Sequence, residues 1–499
     1  MPQVSGVLNA LARLVRGPRP GERLDPPRFL AHAAALAARA PAPRGRWLSV
    51  LADAPPPGWR KGGPAELVVR APGAPWSEAL ARAHAPFVAR LDPGGQLTPH
   101  AAERIAAALA AHPEAEALYT DEALADASGR PQEIVLKPAF DPVLLQAFDY
   151  FGRLAVYRRD RVAALGGFEQ GDHQLALRMA AEAAPGAILH LPYPAYIGPP
   201  RASPFAVPTL EPPPGGWPRV SVVIPSRDAP DLIGKALAGL FERTDYPDFD
   251  VTVVDNGSTD PATLALYRRY SGPRFRAEIR SEPFNFSRAV NRGLALTVGP
   301  LALLLNNDIE VIEPGWLKEM VSCLAYPKTG IVGAKLLYPD GTLQHAGVIA
   351  GLGGYAGHWH IGRPESEPGP QGRLAARQSL SVVTGACMLV SRVCFESLGG
   401  FDEETFPIAY NDVDFCLRAV AAGWRVVWTP FARLVHHESA SRGSDETPEN
   451  RTRFARDKAA LQARHATDVV EDRAYNPWAS RTHSDPWPMA RASLPAPRA

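Results

Sequence analysis

The chain has 499 residues, enough for two or three domains, and its 46% apolar and 21% charged residues are ordinary for a globular protein. Lys and Arg number 53 against 52 for Asp and Glu, and a formal charge of +1 excludes a protein built around a basic nucleic-acid surface. Four cysteines, Cys323, Cys387, Cys394 and Cys416, make neither a disulfide framework nor a zinc spacing, and no apolar run reaches the ~20 residues of a bilayer span.

In chain order, Val4, Val7, Leu8, Leu11, Leu14 and Val15 mark one face of a short terminal helix, without the pattern of a signal peptide. A cytoplasmic location is expected, with peripheral contact at the inner face of the membrane left open by that helix. Residues 198–218 are Pro-rich and read as a semi-rigid linker. After it, Val220–Pro225, Phe249–Val254 and Leu301–Leu305 are apolar runs of the kind that form strands buried on both faces. Helical segments are expected over Asp231–Arg243, Pro261–Tyr270 and Ser287–Ala295. Strands alternating with helices predict a mostly parallel sheet, with ligands outside the carboxyl ends of its strands.

The first half reads as a worn copy of the second. Gly152–Arg159 followed by Leu165-Gly166-Gly167-Phe168 echoes Gly385–Arg392 followed by Leu398-Gly399-Gly400-Phe401. In the same alignment Gly94 faces Asp308, Asp172 keeps the place of Asp412, and Gln174 faces Asp414. Nothing in the first copy matches Asp255–Asp260. The expected organisation is a degenerate domain over 1–197, the linker 198–218, a catalytic domain over 219–445, and a helix with an extended tail over 446–499.

Four clusters carry chemistry. Asp255 leaves a strand end followed by Gly257 and Ser258, which suits either a base or ribose contact or a plain turn with a helix N-cap. Asp308 follows an apolar strand, where a carboxylate needs solvent, a cap or a cation. Asn411-Asp412-Val413-Asp414 opens a helix, so one carboxylate can cap while the other faces elsewhere. His436-His437-Glu438 follows a strand, and two adjacent histidines there point to opposite faces. Together these oxygens and imidazoles suit a divalent cation and a general base. No G-x-S-x-G elbow, phosphate loop or G-x-G-x-x-G turn occurs where one would be needed.

The runs VSVVIPSRDAPDL, VVDNGSTD, LLLNNDIEV, TGACMLVSR to LGGFDE, and NDVDFCLRAVAAGW resemble the inverting family 2 glycosyltransferases of GT-A fold, over about Val220 to Arg442. The likeness is to bacterial rhamnosyltransferase-like and O-antigen enzymes of surface-polysaccharide synthesis. It implies two tandem α/β GT-A-like domains, the first degenerate. It also implies that Pro225, Ser226 and Arg227 line a nucleotide-sugar pocket with Asn291 and Asn306, and that Asp255 holds the base. Asp308 and His436 would hold Mn2+ or Mg2+, and Asp412 would be the general base of a single inverting sugar transfer. Asn306 departs from the family's usual Asp at that place. The implied partners are a nucleotide-diphosphate sugar and a glycan, lipid-linked or protein acceptor. The alternative function is a catalytically inactive sugar-nucleotide or glycan-binding scaffold.

Overall fold

The computed structural model describes residues 23–57, 59, 63–200, 205–437, 448–482 and 487–499, the side chains of 448–451 excepted. The terminal helix expected over 4–15, and Glu438, lie outside the described residues. Two units emerge. The first comprises Pro18–Val207 with Arg473–Ser480 and Pro486–Ala499; the second is centred on Pro208–Asp472. The unit boundary falls inside the Pro-rich segment, where described residues 205–219 form neither helix nor strand. The tail that the sequence sets apart as 446–499 divides between the units: the helix Pro448–His465 belongs to the second, whereas residues 473–480 and 486–499 belong to the first.

In the first unit the strands are β1 (Leu48–Ala52), β2 (Ala65–Val69), β3 (Phe87–Leu91), β4 (Gln96–Leu97), β5 (Ala117–Ala125), β6 (Pro131–Val135), β7 (Ala155–Arg158) and β8 (Ile188–Gly198). Their order is β2-β1-β3-β7-β5-β8-β4, with β6 on β5. The second unit holds β9 (Val220–Ser226), β10 (Phe249–Asp255), β11 (Phe275–Ile279), β12 (Leu301–Leu305), β13 (Ile309–Val311), β14 (Thr329–Leu337), β15 (Leu343–His345), β16 (Val348–Ala350), β17 (Ala356–His358), β18 (Gln378–Leu380), β19 (Cys387–Ser391) and β20 (Arg425–His436). Its main sheet runs β11-β10-β9-β12-β19-β14-β20-β13, with β15 on β14 and β18 on β20.

The two orders superpose strand for strand when β2, β1, β3, β7, β5, β8 and β4 are set on β10, β9, β12, β19, β14, β20 and β13. The senses agree too: β1 is parallel to β2 and β3 as β9 is to β10 and β12. Likewise β7 is antiparallel to β3 and β5 as β19 is to β12 and β14. The duplication read from sequence is thus a duplication of topology, and β11 is the strand of the second sheet's main path that has no counterpart in the first.

Both sheets bury their central strands completely, β1 and β12 having no exposed residue, as continuous Val, Leu and Ile runs require. In the first unit the tail completes a buried polar core. Asn476 Nδ2 donates to both oxygens of Asp121 at 2.9 and 3.0 Å, His190 Nε2 lies 2.9 Å from the same carboxylate, and Arg498 pairs with His190 backbone to backbone.

Candidate active site

Two loops at the carboxyl end of the second sheet are stitched together. Asp228, in the left-handed region at φ 49°, accepts the N–H groups of Thr259 and Asp260 at 2.9 and 3.0 Å, while its own N–H donates to Ser258. Those bonds, the one from Asp260 foremost, hold its carboxyl below the usual range. Asp255 is 1% exposed, and its oxygens accept from Ser258 N–H, the Ser258 hydroxyl and the Tyr267 hydroxyl at 2.5–2.6 Å. Burial and that carboxylate push the Tyr267 hydroxyl far up, so it donates and does not ionise. The next helix is capped by Asp260, whose side chain accepts from Ala262 N–H, and Ser258 is not its N-cap: Pro261 opens the helix, and Ser258 lies two residues before the cap.

Pro225 and Ser226 end β9 beside β10 in parallel register, Ser226 opposite Asp255. Ser226 is buried and its hydroxyl accepts from Asn307 Nδ2 at 3.1 Å. Arg227 is exposed, with Asp228 near it at 3.8 Å. Asn291 lies on the helix Phe286–Ala295, with both ends of its amide bonded to Phe401 and Glu403, so it ties that helix to the Gly-Gly-Phe loop.

The remaining candidates gather around one tripeptide. Thr384 N–H donates to His345 Nε2 at 3.3 Å, Gly385 N–H donates to Asp412 Oδ2 at 2.9 Å, and Ala386 O accepts Asn306 N–H at 2.9 Å. Asp308 follows Asn306 by two residues, is 5% exposed, and lies 3.2 Å from His436 Nε2. Strand pairing explains this contact, since Ile309 on β13 sits opposite His436 on β20. His437 points the other way, to Glu310 at 2.9 Å, as the alternation of a strand dictates. The structure therefore joins Asn306, Asp308, Asp412 and His436 through short links, with Ser226 beside Asn307. Sequence reasoning missed His345 and the amides of Thr384 and Gly385. His345 sits in a short strand of three residues, and backbone donors leave no residue-type signature.

Asp412 heads the helix Asn411–Ala421 and is partly exposed, whereas Asp414 has no exposure and bonds Arg418, Arg464 and His465 at 2.8–2.9 Å. Burial alone would raise the Asp414 carboxyl, but His465, Arg418 and Arg464 bring it below the usual range. One carboxylate thus faces a loop and the partly open surface while the other fastens two helices. His345 is wholly buried, and burial keeps it neutral well below its usual range.

A carboxylate and an imidazole nitrogen at 3.2 Å are a chemically apt pair for an oxygen-preferring divalent cation. Among the described residues no set of three or more His, Cys, Asp or Glu gathers to hold a metal by itself. Asp308 and His436 supply two ligands, so a cation here would need its remaining ligands from outside the protein.

The same place in the first unit is built differently. Arg90 on β3 bonds both Asp92 and Asp172, and Arg153 bonds Asp92. Asp172 heads the helix Asp172–Glu182 as Asp412 heads its own, and Gly94 stands where the second unit has Asp308. Guanidinium groups neutralise the carboxylates there.

Residues 218–456 match the family described as glycosyltransferase like family 2. The O-antigen biosynthesis protein RfbC of Myxococcus xanthus is 37% identical over 75% of this chain and 32% of its own length. An N-acetylglucosaminyl-diphospho-decaprenol L-rhamnosyltransferase of Mycobacterium tuberculosis is 29% identical over 42% of this chain and 73% of its own. Among solved structures, a mannosyltransferase of Pyrobaculum calidifontis in complex with GDP-Man and Mn2+ is 20% identical over 52% of this chain and 72% of that one, with a TM-score of 0.37. The chain spans less than half the length of the curated relatives it matches over most of its own residues. No helix of the described residues is long and apolar enough to cross a membrane.

Proposed function

We propose, from the match of residues 218–456 to glycosyltransferase like family 2 and the likeness to surface-polysaccharide enzymes, that the second unit moves one sugar from a nucleotide-diphosphate sugar to an acceptor hydroxyl with inversion. The observation that carries it is the grouping of Asp412, Asn306 and, two residues on, Asp308 around Thr384–Ala386, with His436 against Asp308.

In this reading Ser226, Arg227 and the stitched loop around Asp255 line the nucleotide end, with Pro225 and Asn306 beside them. Asp255 acts through the loop: its oxygens already accept three hydrogen bonds, leaving about one lone pair for a base or ribose donor. Asn291 supports the wall of the pocket through Phe401 and Glu403. Asp308 and His436 would hold Mn2+ or Mg2+, and the bound cation would supply positive charge for the departing diphosphate. Asp412 takes the proton of the acceptor hydroxyl as the new glycosidic bond forms and the bond to the diphosphate breaks on the opposite face. Gly385 N–H bonds one of its oxygens and holds the carboxylate in place for that transfer. Direct displacement needs no second nucleophilic carboxylate, and Asp414 is committed to Arg418, Arg464 and His465.

The donor and acceptor are a sugar nucleotide and a glycan, lipid-linked or protein hydroxyl, in bacterial surface-glycan synthesis at the cytoplasmic side. The test is a panel of UDP-, GDP- and dTDP-sugars scored by thermal shift and by hydrolysis, with and without Mn2+ or Mg2+. A metal-dependent shift with one nucleotide supports the reading. Binding without any turnover would leave the scaffold alternative standing, and full turnover in chelator would remove the cation from it.

A further inference from the structure

Beside Asp412 lies a group of side chains that the donor site does not use. Tyr355 and Tyr410 meet edge to face at 6.0 Å, Phe454 packs on Tyr410 at 5.2 Å, and Lys458 Nζ stands 3.9 Å from the centre of the Tyr355 ring. Three separate segments supply them: the turn before β17, the residue that caps the Asn411–Ala421 helix, and the helix Pro448–His465. Tyr410 precedes Asp412 by two residues and holds φ 56°, a conformation that a bulky residue adopts only when its surroundings impose it.

The group has unspent bonding capacity. Among the described residues, the buried Tyr410 hydroxyl has no hydrogen-bond partner. Asp457 is wholly buried; its Oδ1 bonds Arg456, and its Oδ2 bonds no described residue. Buried polar atoms left open in this way are costly unless a ligand or water fills them. Lys458 has no carboxylate partner among the described residues, and Phe454 is 40% exposed. A cation over one aromatic face, further rings, and hydrogen-bonding oxygens are what a sugar with an attached anion requires. The stacking surface takes the apolar face of the ring, the oxygens take hydroxyls, and the ammonium takes the anion.

We propose that Tyr355, Tyr410, Phe454, Asp457 and Lys458 form the acceptor subsite, and that the acceptor is a glycosyl phosphate whose phosphate pairs with Lys458 while its sugar lies on the aromatic rings toward Asp412. This rests on reading Asp412 as the general base. The phosphate can belong to a lipid-linked sugar or to a free sugar phosphate, and the experiment separates the two.

The full chain is titrated calorimetrically, in chelator so that the metal-dependent donor site stays silent. The probes are octyl glycosyl phosphates, the matching neutral octyl glycosides, octyl phosphate, and the free sugar 1-phosphates. At least one glycosyl phosphate binds ~tenfold or more tightly than its neutral glycoside and than octyl phosphate. Lys458→Met and Tyr355→Leu each cost that factor, Lys458→Arg retains binding within about threefold, and, in a separate titration without chelator, binding of nucleoside diphosphate with Mn2+ is the same in all three variants. Equal binding of octyl and free phosphates assigns the free sugar phosphate; stronger octyl binding assigns the lipid-linked one. Glycoside and glycosyl phosphate binding alike, or Lys458→Met binding like the parent with an unchanged melting temperature, overturns the subsite. Absence of nucleotide binding in the unsubstituted chain would instead sink the donor site, a result distinguishable from both.

Discussion

Asp412 and Asp414 stand two residues apart on one helix, yet their surroundings set them to different tasks. Asp412 accepts one N–H from the Gly385 loop and keeps partial exposure, so Asp412→Asn preserves size and that contact while removing the ability to take a proton. Steady-state kinetics should show kcat reduced ~10²–10⁴-fold with the donor KM little changed. Asp414→Asn removes the charge that joins Arg418, Arg464 and His465. Thermal unfolding should show a loss of ~1–3 kcal/mol in the second unit while kcat per folded molecule stays near the parent value. A dead Asp414→Asn beside an active Asp412→Asn would place the base two residues later. At this scale the sequence displayed the acidic and histidine clusters, because polar residues at the ends of apolar strands stand out. It could not display that Asp255 is surrounded by Ser258 and Tyr267, or that Asn291 spends its amide on Phe401 and Glu403. Those partners are 3 to 112 residues away along the chain, and only folding brings them together.

Among the elements, the turn Asp255–Asp260 is held by glycine as much as by its carboxylates. Gly257 has φ +83°, and a methyl group there would come within 2.8 Å of Ser281 Cβ and 2.9 Å of its Cα. Gly257→Ala should therefore cost ~1 kcal/mol or more and disturb the loop that carries Asp255. It should raise the donor KM more than it lowers kcat, read by initial rates over a range of donor concentrations. The central strands were legible because buried parallel strands are continuous apolar runs: Leu301–Leu305 and the helix Pro261–Tyr270 occupy the residues read for them. The helix expected over Asp231–Arg243 instead runs Pro230–Ala238 and ends in a π turn, Gly239–Arg243, where Gly239 lies so close to Val311 that a Cβ would meet it at 2.9 Å. The segment between β14 and β19 escaped sequence reading because its strands are three residues long, too short to show any period.

For the whole molecule, the duplicated topology carries different side chains at the corresponding place. Arg90 and Arg153 occupy the carboxylates of the first unit, and Gly94 offers no ligand where Asp308 stands in the second. Titration of the full chain with nucleoside diphosphate and Mn2+ should give one site per chain; a second would show that the arginines yield to a cation. The first unit should also report acid. Burial takes His190 down to about 4, against the pull of Asp121. An unfolded chain binds a proton there near pH 6.5, which the folded one refuses until about pH 4. Its contribution is complete above pH 6.5 and is lost as pH falls toward 4, by up to about 1.4 kcal/mol per pH unit for one proton. Amide exchange in β5 and β8 should accelerate over that interval, and His190→Gln should flatten the dependence.

The return of residues 473–480 and 486–499 to the first unit has a consequence for biosynthesis. A ribosome finishes Val207 and must then make all of Pro208–Asp472 before Asn476 can reach Asp121 or Arg498 can reach His190. At ~5–20 residues per second that is a wait of some tens of seconds, during which the earlier-made half lacks its closing segment. The later-made half, nearly all of it one uninterrupted run, needs no such delay. Nascent chains should thus acquire protease resistance in the reverse of their order of synthesis, and a stop codon at 473 should harm the half that was translated first.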